Sequence, residues 1–257
     1  MVMEFNAYLA ELFDKAHPWN EFSTGGGLNI YRFAFGKVRG GKMLPCPMDG
    51  GGIEKFYEAN GLKITGRDEH NRPLLNGKED ATPITGVVYE VGFHTLSYYK
   101  SLYTPLTDKS SLDDSDMGKV YELYFQRIDS ILKWSSRPRP VAIGGSPSRW
   151  YWDYDRSING GDEDLGVMSG GEAAMVLGTV LDISKAFVSK HKPKGILIGT
   201  KSTAKDVRGR IYVGMAKRNA GEVVPIPYSP RDNMKHGNMI WFDKTKQFDP
   251  LAKYHAV

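Results

Sequence analysis

With 257 residues, 40% hydrophobic and 25% charged, the chain has the make-up of a globular protein with enough material for a sizeable core. Its 14 Tyr, 11 Phe and 5 Trp argue against disorder over most of the length, and a single cysteine, Cys46, excludes an internal disulfide framework. A net charge of +4 permits contact with nucleic acid without pointing to it.

The opening residues "MVMEFNAYLAELFDKAHPW" carry Glu4, Glu11 and Asp14 and lack the basic and continuously apolar regions of a secretory signal, so a cytosolic chain is expected. No run approaches the roughly 18 apolar residues of a membrane span. Phe5, Leu9, Leu12 and Phe13 recur at helical spacing and predict a short helix over 4–15, stopped by Pro18. "GLNIYRFAFGKV" predicts a strand leaving the Gly25-Gly26-Gly27 turn. Residues 37–85 are rich in Gly, Pro, Asn and charge and read as loops with one short helix near Ile53–Ala59. "TGVVYEVGFHTL", 85–96, predicts a strand. Over 118–134, Val120, Tyr124 and Ile128, with Tyr121, Phe125 and Leu132, fit a helix. "SSRPRP" then predicts a break that divides the chain into residues 1–136 and 137–257, unless the two form one continuous domain.

In the second half "RWYWDYDRSI" alternates, with Trp150, Trp152 and Tyr154 on one face, and Asn159-Gly160 predicts a hairpin returning through "DLGVM". A helix is expected from about Gly170 to His191. Val176, Val180, Ile183 and Phe187 form its buried stripe, and Pro193 follows its end. "KGILIGT" has the short apolar run of a strand buried on both faces. Residues 202–221 predict a second amphipathic helix, with Ala204, Val207, Ile211 and Met215 inward. "EVVPIPY" and "NMIWFD" predict further strands. The expected class is α+β, a mixed sheet with flanking helices and an irregular N-terminal half.

The order of elements after residue 137, with a glycine-bearing turn between a strand and the long helix, resembles the acyl-CoA N-acyltransferase (GNAT) fold. The resemblance implies a pyrophosphate cradle at Gly170, Gly171, Glu172 and Ala173, where backbone N–H groups and the helix dipole would hold acetyl-CoA. It also implies a general acid, for which Tyr212 stands in a suitable place. Gly171 and Ala173 match the family's turn, but Met168 stands where that family has Arg or Gln. A second resemblance covers about a third of the chain. His17-Pro18-Trp19, Thr179-Val180, Pro193, Arg210 with Tyr212, and Lys217-Arg218 are similar to motifs of a group of tailed-bacteriophage proteins. It implies phage origin rather than an activity.

The same glycines have a simpler reading. Ser169-Gly170-Gly171-Glu172 is a capping box, S-x-x-E, in which side chains at both ends satisfy helix N-terminal donors. It would also put the Glu172 carboxylate where a phosphate would sit. Tyr212, on a helix with Ile211 and Met215, is in the ordinary case a half-buried packing residue. Five acids, Asp153, Asp155, Asp162, Glu163 and Asp164, invite a metal reading but lack the EF-hand pattern, and no metal site is expected. Lys201, Lys205, Arg208, Arg210, Lys217 and Arg218 make the last helix basic enough to meet phosphates or an acidic partner. Trp150, Tyr151, Trp152 and Tyr154 could stack bases, although an aromatic strand facing a core is the ordinary case.

Three functions follow. The first is a non-catalytic phage protein that binds a phage or host protein, in the virion or the host cytoplasm, without cofactor or membrane. The second is an acyl-CoA-dependent N-acyltransferase using acetyl-CoA. The third is a nucleic-acid-binding protein acting through the basic last helix.

Overall fold

The computed structural model describes residues 16–25, 27–37, 43–48, 53–69, 73–75, 84–96, 116, 118–139, 148–154, 170–200, 222–227 and 236–245. The fold is α+β, dominated by a mixed sheet with few helices. Its elements in chain order are β1 (Asn20–Gly25), β2 (Leu28–Lys37), β3 (Met43–Cys46), α1 (Ile53–Ala59), β4 (Ile64–Arg67), β5 (Pro73–Leu75), β6 (Ile84–Thr95), β7 (Val120–Arg139), β8 (Ser148–Tyr154), α2 (Gly170–His191), β9 (Gly195–Thr200), β10 (Glu222–Pro227) and β11 (His236–Trp241). The chain forms two compact units. The first takes residues 1–23, 30–91 and 125–183, and the second 24–29, 92–124 and 184–257, so β6, β7 and α2 each contribute to both.

In the first unit β2 and β6 are buried strands. Tyr31, Phe33 and Phe35 alternate along β2, and Phe33 and Phe35 meet Tyr89 of β6, which stacks on Phe33 at 5.2 Å and on Phe125 of β7 at 5.5 Å. The opposite face carries a polar bridge across three strands. Glu90, 5% exposed, accepts from Arg32 Nε at 2.7 Å and from Gln126 Nε2 at 2.7 Å. The acceptors of this buried carboxylate are thus satisfied, as burial in a sheet requires. β3 pairs antiparallel with β2 from Ala34↔Cys46 to Lys37↔Met43, and β4 and β5 form a separate two-stranded sheet.

In the second unit β7 runs parallel to β9 from Val120↔Gly195 to Leu123↔Ile198. β11 is antiparallel to both β9 and β10, which places it between them. Phe187 of α2 is fully buried, stacked on Phe93 at 3.8 Å and edge-on to Tyr121 at 4.9 Å. Helix α2 ends on Lys192 in the left-handed region (φ 46°), whose N–H reaches Val188 O at 2.9 Å, and Pro193 prevents continuation. Gly27 (φ 87°) turns β1 into β2 as the glycine run predicts, and its carbonyl accepts from Thr95 N–H at 3.0 Å.

Several expectations are overturned, the helix over 118–134 first among them. Residues 118–134 do not form a helix; Val120–Arg139 is the strand β7. The segment is rich in Val, Tyr, Phe and Ile, and it gains partners in both β8 and β9, so pairing overrides a fortuitous 3.6-residue match. The predicted break at "SSRPRP" appears instead as a register shift between Trp134 and Arg139, where Pro138 has no N–H for the ladder. β1, β3, β4 and β5 occupy segments that read as loop or were not expected as strands. The helix over 4–15, the hairpin at Asn159-Gly160, the "DLGVM" strand and the helix over 202–221 lie outside the described residues.

Candidate functional site

The site begins at His17-Pro18-Trp19, in the first unit. The His17 N–H donates to Thr179 Oγ1 at 2.9 Å, and the same hydroxyl donates to Met175 O at 2.7 Å. Trp19 Nε1 donates to Asp182 Oδ2 at 2.8 Å, one helical turn further along α2. The Trp19 ring stands edge-on to Tyr31 at 5.4 Å. The His-Pro-Trp step and Thr179, 162 residues beyond His17, therefore form one clamp.

The His17 ring is turned to the sheet. It lies 5.1 Å from Phe35, edge-on, and 6.0 Å from Phe33. Nε2 is 2.7 Å from Ala34 O. A carbonyl only accepts, so Nε2 carries the ring proton and Nδ1 carries the lone pair. His17 is 4% exposed, and Nδ1 completes no hydrogen bond. Burial pushes the imidazole pKa below its ordinary value, with the carbonyls of Ala34 and Pro18 acting the other way. Burial therefore favours the neutral form of the ring.

Ala34 is also the register partner of Cys46, so the same strand pairing that holds His17 sets the next wall. His17, Cys46, Pro47 and Met48 line a half-open cleft of about 620 Å³ with Leu44 and Phe56, and Lys55 stands exposed on α1 among its lining residues. Cys46 is fully buried and burial pushes its thiol pKa well above the ordinary range. Tyr57, also fully buried, has its phenol raised by burial and by Cys46, and its hydroxyl completes no hydrogen bond. Its ring tilts against Trp150 at 5.4 Å. A thiolate nucleophile needs a depressed pKa and a charged neighbour. Burial favours the protonated thiol and the neutral imidazole, so the cleft offers shape and apolar surface rather than a nucleophile.

The residues singled out from the sequence are distributed differently. Gly170, Gly171, Glu172 and Ala173 form the first turn of α2, as both the capping box and the cradle require, and Ser169 and Met168 lie outside the described residues. Tyr212, Lys201, Lys205, Arg208, Arg210, Lys217 and Arg218 also lie outside them, as do Asp155, Asp162, Glu163 and Asp164. Asp153 is half exposed and pairs with Lys133 at 2.6 Å across the β7–β8 ladder, the solvated-face reading. Among the described residues no three His, Cys, Asp or Glu side chains gather to hold a metal. Trp150 and Trp152 are buried, and Trp152 Nε1 donates to Pro47 O at 3.3 Å, so these two rings are core residues. No helix among the described residues is long and apolar enough to cross a membrane.

In the second unit a charged clasp joins three segments. Lys194 Nζ bridges the buried Asp116 and, at 3.6 Å, Asp243. Its main chain links the same parts: Lys194 N–H donates to Lys119 O, and Lys194 O accepts from Phe242 and Asp243. These contacts close the end of the parallel β7–β9 pair and are structural.

Sequence reasoning missed the cleft because His17, Cys46 and Lys55 belong to three separate segments that come to line one cleft only in the folded chain. The one signal that touched it was the His-Pro-Trp motif. No protein-family model, no curated protein and no solved structure matches the chain.

Proposed function

We propose that the chain is a non-catalytic, phage-encoded protein that binds a partner protein, in the virion or in the host cytoplasm, through the His17/Cys46 cleft. The observation that carries this reading is a half-open, mostly apolar cleft whose thiol is held protonated and whose imidazole is held neutral. Such a surface accepts an apolar side chain more readily than it drives a reaction. Lys55 adds a cation among the lining residues, so the occupant is an apolar residue of the partner followed by a carboxylate. Pro45 and Pro47 remove N–H donors from the wall, which disfavours strand addition there.

The test is a photo-crosslinker at Leu44 or Ala59 during infection by the source phage, with Glu69 as a control position. A discrete adduct with one protein from the cleft positions and none from the control is expected. Absence of any cleft-specific adduct would refute the reading.

One observation favours a second reading. Helix α2 leads into β9, and β9, β11 and β10 lie side by side in the mixed sheet, in keeping with the helix and strand order on which the acyl-CoA N-acyltransferase resemblance rests. It supports a GNAT-like layer; fold alone does not supply activity. Calorimetry with acetyl-CoA decides it. Binding in the micromolar range, tightened by Glu172→Gln, would favour the transferase. The basic residues of the segment 201–218 keep nucleic acid as a third partner, which a salt-dependent gel shift would reveal.

A further inference from the structure

We infer that Pro225 and Pro227 close the outer edge of β10 to strand addition, and that this keeps the sheet of the second unit from pairing with β10 of a second copy of the chain. The inference does not rest on the docking reading above.

The first observation is position. In the second unit the strands lie side by side in the order β9, β11, β10, and among the described residues no strand lies beyond β10. One edge of β10 is bonded to β11, and the other ends the sheet. Such an edge offers its main-chain N–H and C=O groups to any extended chain that meets it.

The second observation is register. β10 and β11 are antiparallel over consecutive pairs from Glu222↔Trp241 to Pro227↔His236, with no shift. In an antiparallel ladder alternate residues turn both their N–H and their C=O to the same neighbour. Pro225 and Pro227 stand two apart, so they share one orientation. Neither has an N–H. Turned to β11, they would leave ladder bonds unmade opposite Asn238 and His236, yet the ladder runs through both positions. The bonding residues are thus Glu222, Val224 and Ile226, and the prolines face outward, where strand prolines are tolerated. Among the outward residues Val223, Pro225 and Pro227, only Val223 has an N–H to donate.

The third observation is the sequence around the prolines. Val223, Val224 and Ile226 are strong β-formers, and Glu222 is the one charged residue of the strand. Without its prolines the segment has the make-up of one that pairs with its own copy. An antiparallel β10–β10 pair across a two-fold axis would be the closed form of that association. Pro225 and Pro227 withhold most of the donors it needs.

The experiment compares the full unchanged chain with Pro225→Thr, Pro227→Thr and the double variant, by sedimentation equilibrium and by hydrogen exchange over residues 222–227. Threonine restores the N–H and suits a strand without adding a wholly apolar side chain. The double variant should self-associate about tenfold or more tightly than the unchanged chain. Pro225→Thr alone, in mid-strand, should show part of that gain, which keeps the test decisive if the double variant fails to fold. In dilute protein the amides restored at positions 225 and 227 should exchange freely; in the associated form they should be protected. Association no tighter than that of the unchanged chain would overturn the proposal. So would restored amides that are already protected in dilute protein, or association that leaves residues 222–227 unprotected.

Discussion

Phe187 gives the sharpest test of how α2 is held. It is fully buried, stacked on Phe93 and edge-on to Tyr121, and its ring also lies 4.6 Å from His191. Phe187→Ala removes the ring and leaves a cavity that rigid neighbours close only in part, which costs about 3–5 kcal/mol. Phe187→Leu keeps most of the apolar bulk. It loses the ring contacts with Phe93 and Tyr121, worth about 0.5–1.5 kcal/mol each, besides the contact with His191, so a loss of at least about 1–3 kcal/mol is expected. Against a total stability on the order of 5–15 kcal/mol, the two variants should be clearly separated. Urea unfolding followed by circular dichroism measures both, as midpoint shifts at constant slope. If Ala cost less than about 1.5 kcal/mol, or if Leu and Ala were indistinguishable, the ring would not be the packed anchor described.

Thr179→Val keeps the shape of a fully buried residue but removes the acceptor of the His17 N–H, so a loss of about 1–3 kcal/mol in urea unfolding is expected; no loss would dissolve the clamp. Stability should also fall with acid in two steps, read from thermal melts across pH. The His17 imidazole is pushed down by burial, so its contribution is complete above its ordinary pKa of about 6.5 and is lost as pH drops towards its folded value. The Asp243 carboxyl is pushed down by the hydroxyl and N–H of Thr245 and then by Lys194, so its contribution is present above its ordinary pKa of about 4 and is lost as pH falls below that. His17→Gln should remove the first step alone and Asp243→Asn should shrink the second; a profile that neither variant changes would refute both assignments.

The parts of the fold legible in the sequence are those in which one element satisfies itself. The Val176, Val180, Ile183 and Phe187 stripe marks α2, and all four side chains are buried. The run "GILIG" marks β9, and Ile196, Leu197 and Ile198 are buried on both faces. β7 was not legible because its residues suit either period, and the choice falls to partners that only the tertiary fold brings. β3 and β5 were hidden for a related reason. Strands of four and three residues with prolines in them carry almost no periodic signal, and only a neighbouring strand makes them strands.

The candidate site was legible only through His17, and the reason lies in how that residue is used. Its main-chain N–H is committed to α2 through Thr179, and its Nε2 is committed to β2 through Ala34 O. Each bond satisfies a group that burial would otherwise leave bare, and together they fix the ring without engaging Nδ1. A residue kept only for packing needs no such arrangement: a leucine would fill the space beside Phe35. The fold thus anchors His17 through two polar groups, one of the main chain and one of the ring. Pro18 contributes to this. It cannot extend a helix, so the chain leaves His17 towards Trp19, and the Trp19 indole finds Asp182 one turn from Thr179 on the same helix. The His-Pro-Trp step thus acts as a clamp that ties the start of the described chain to α2.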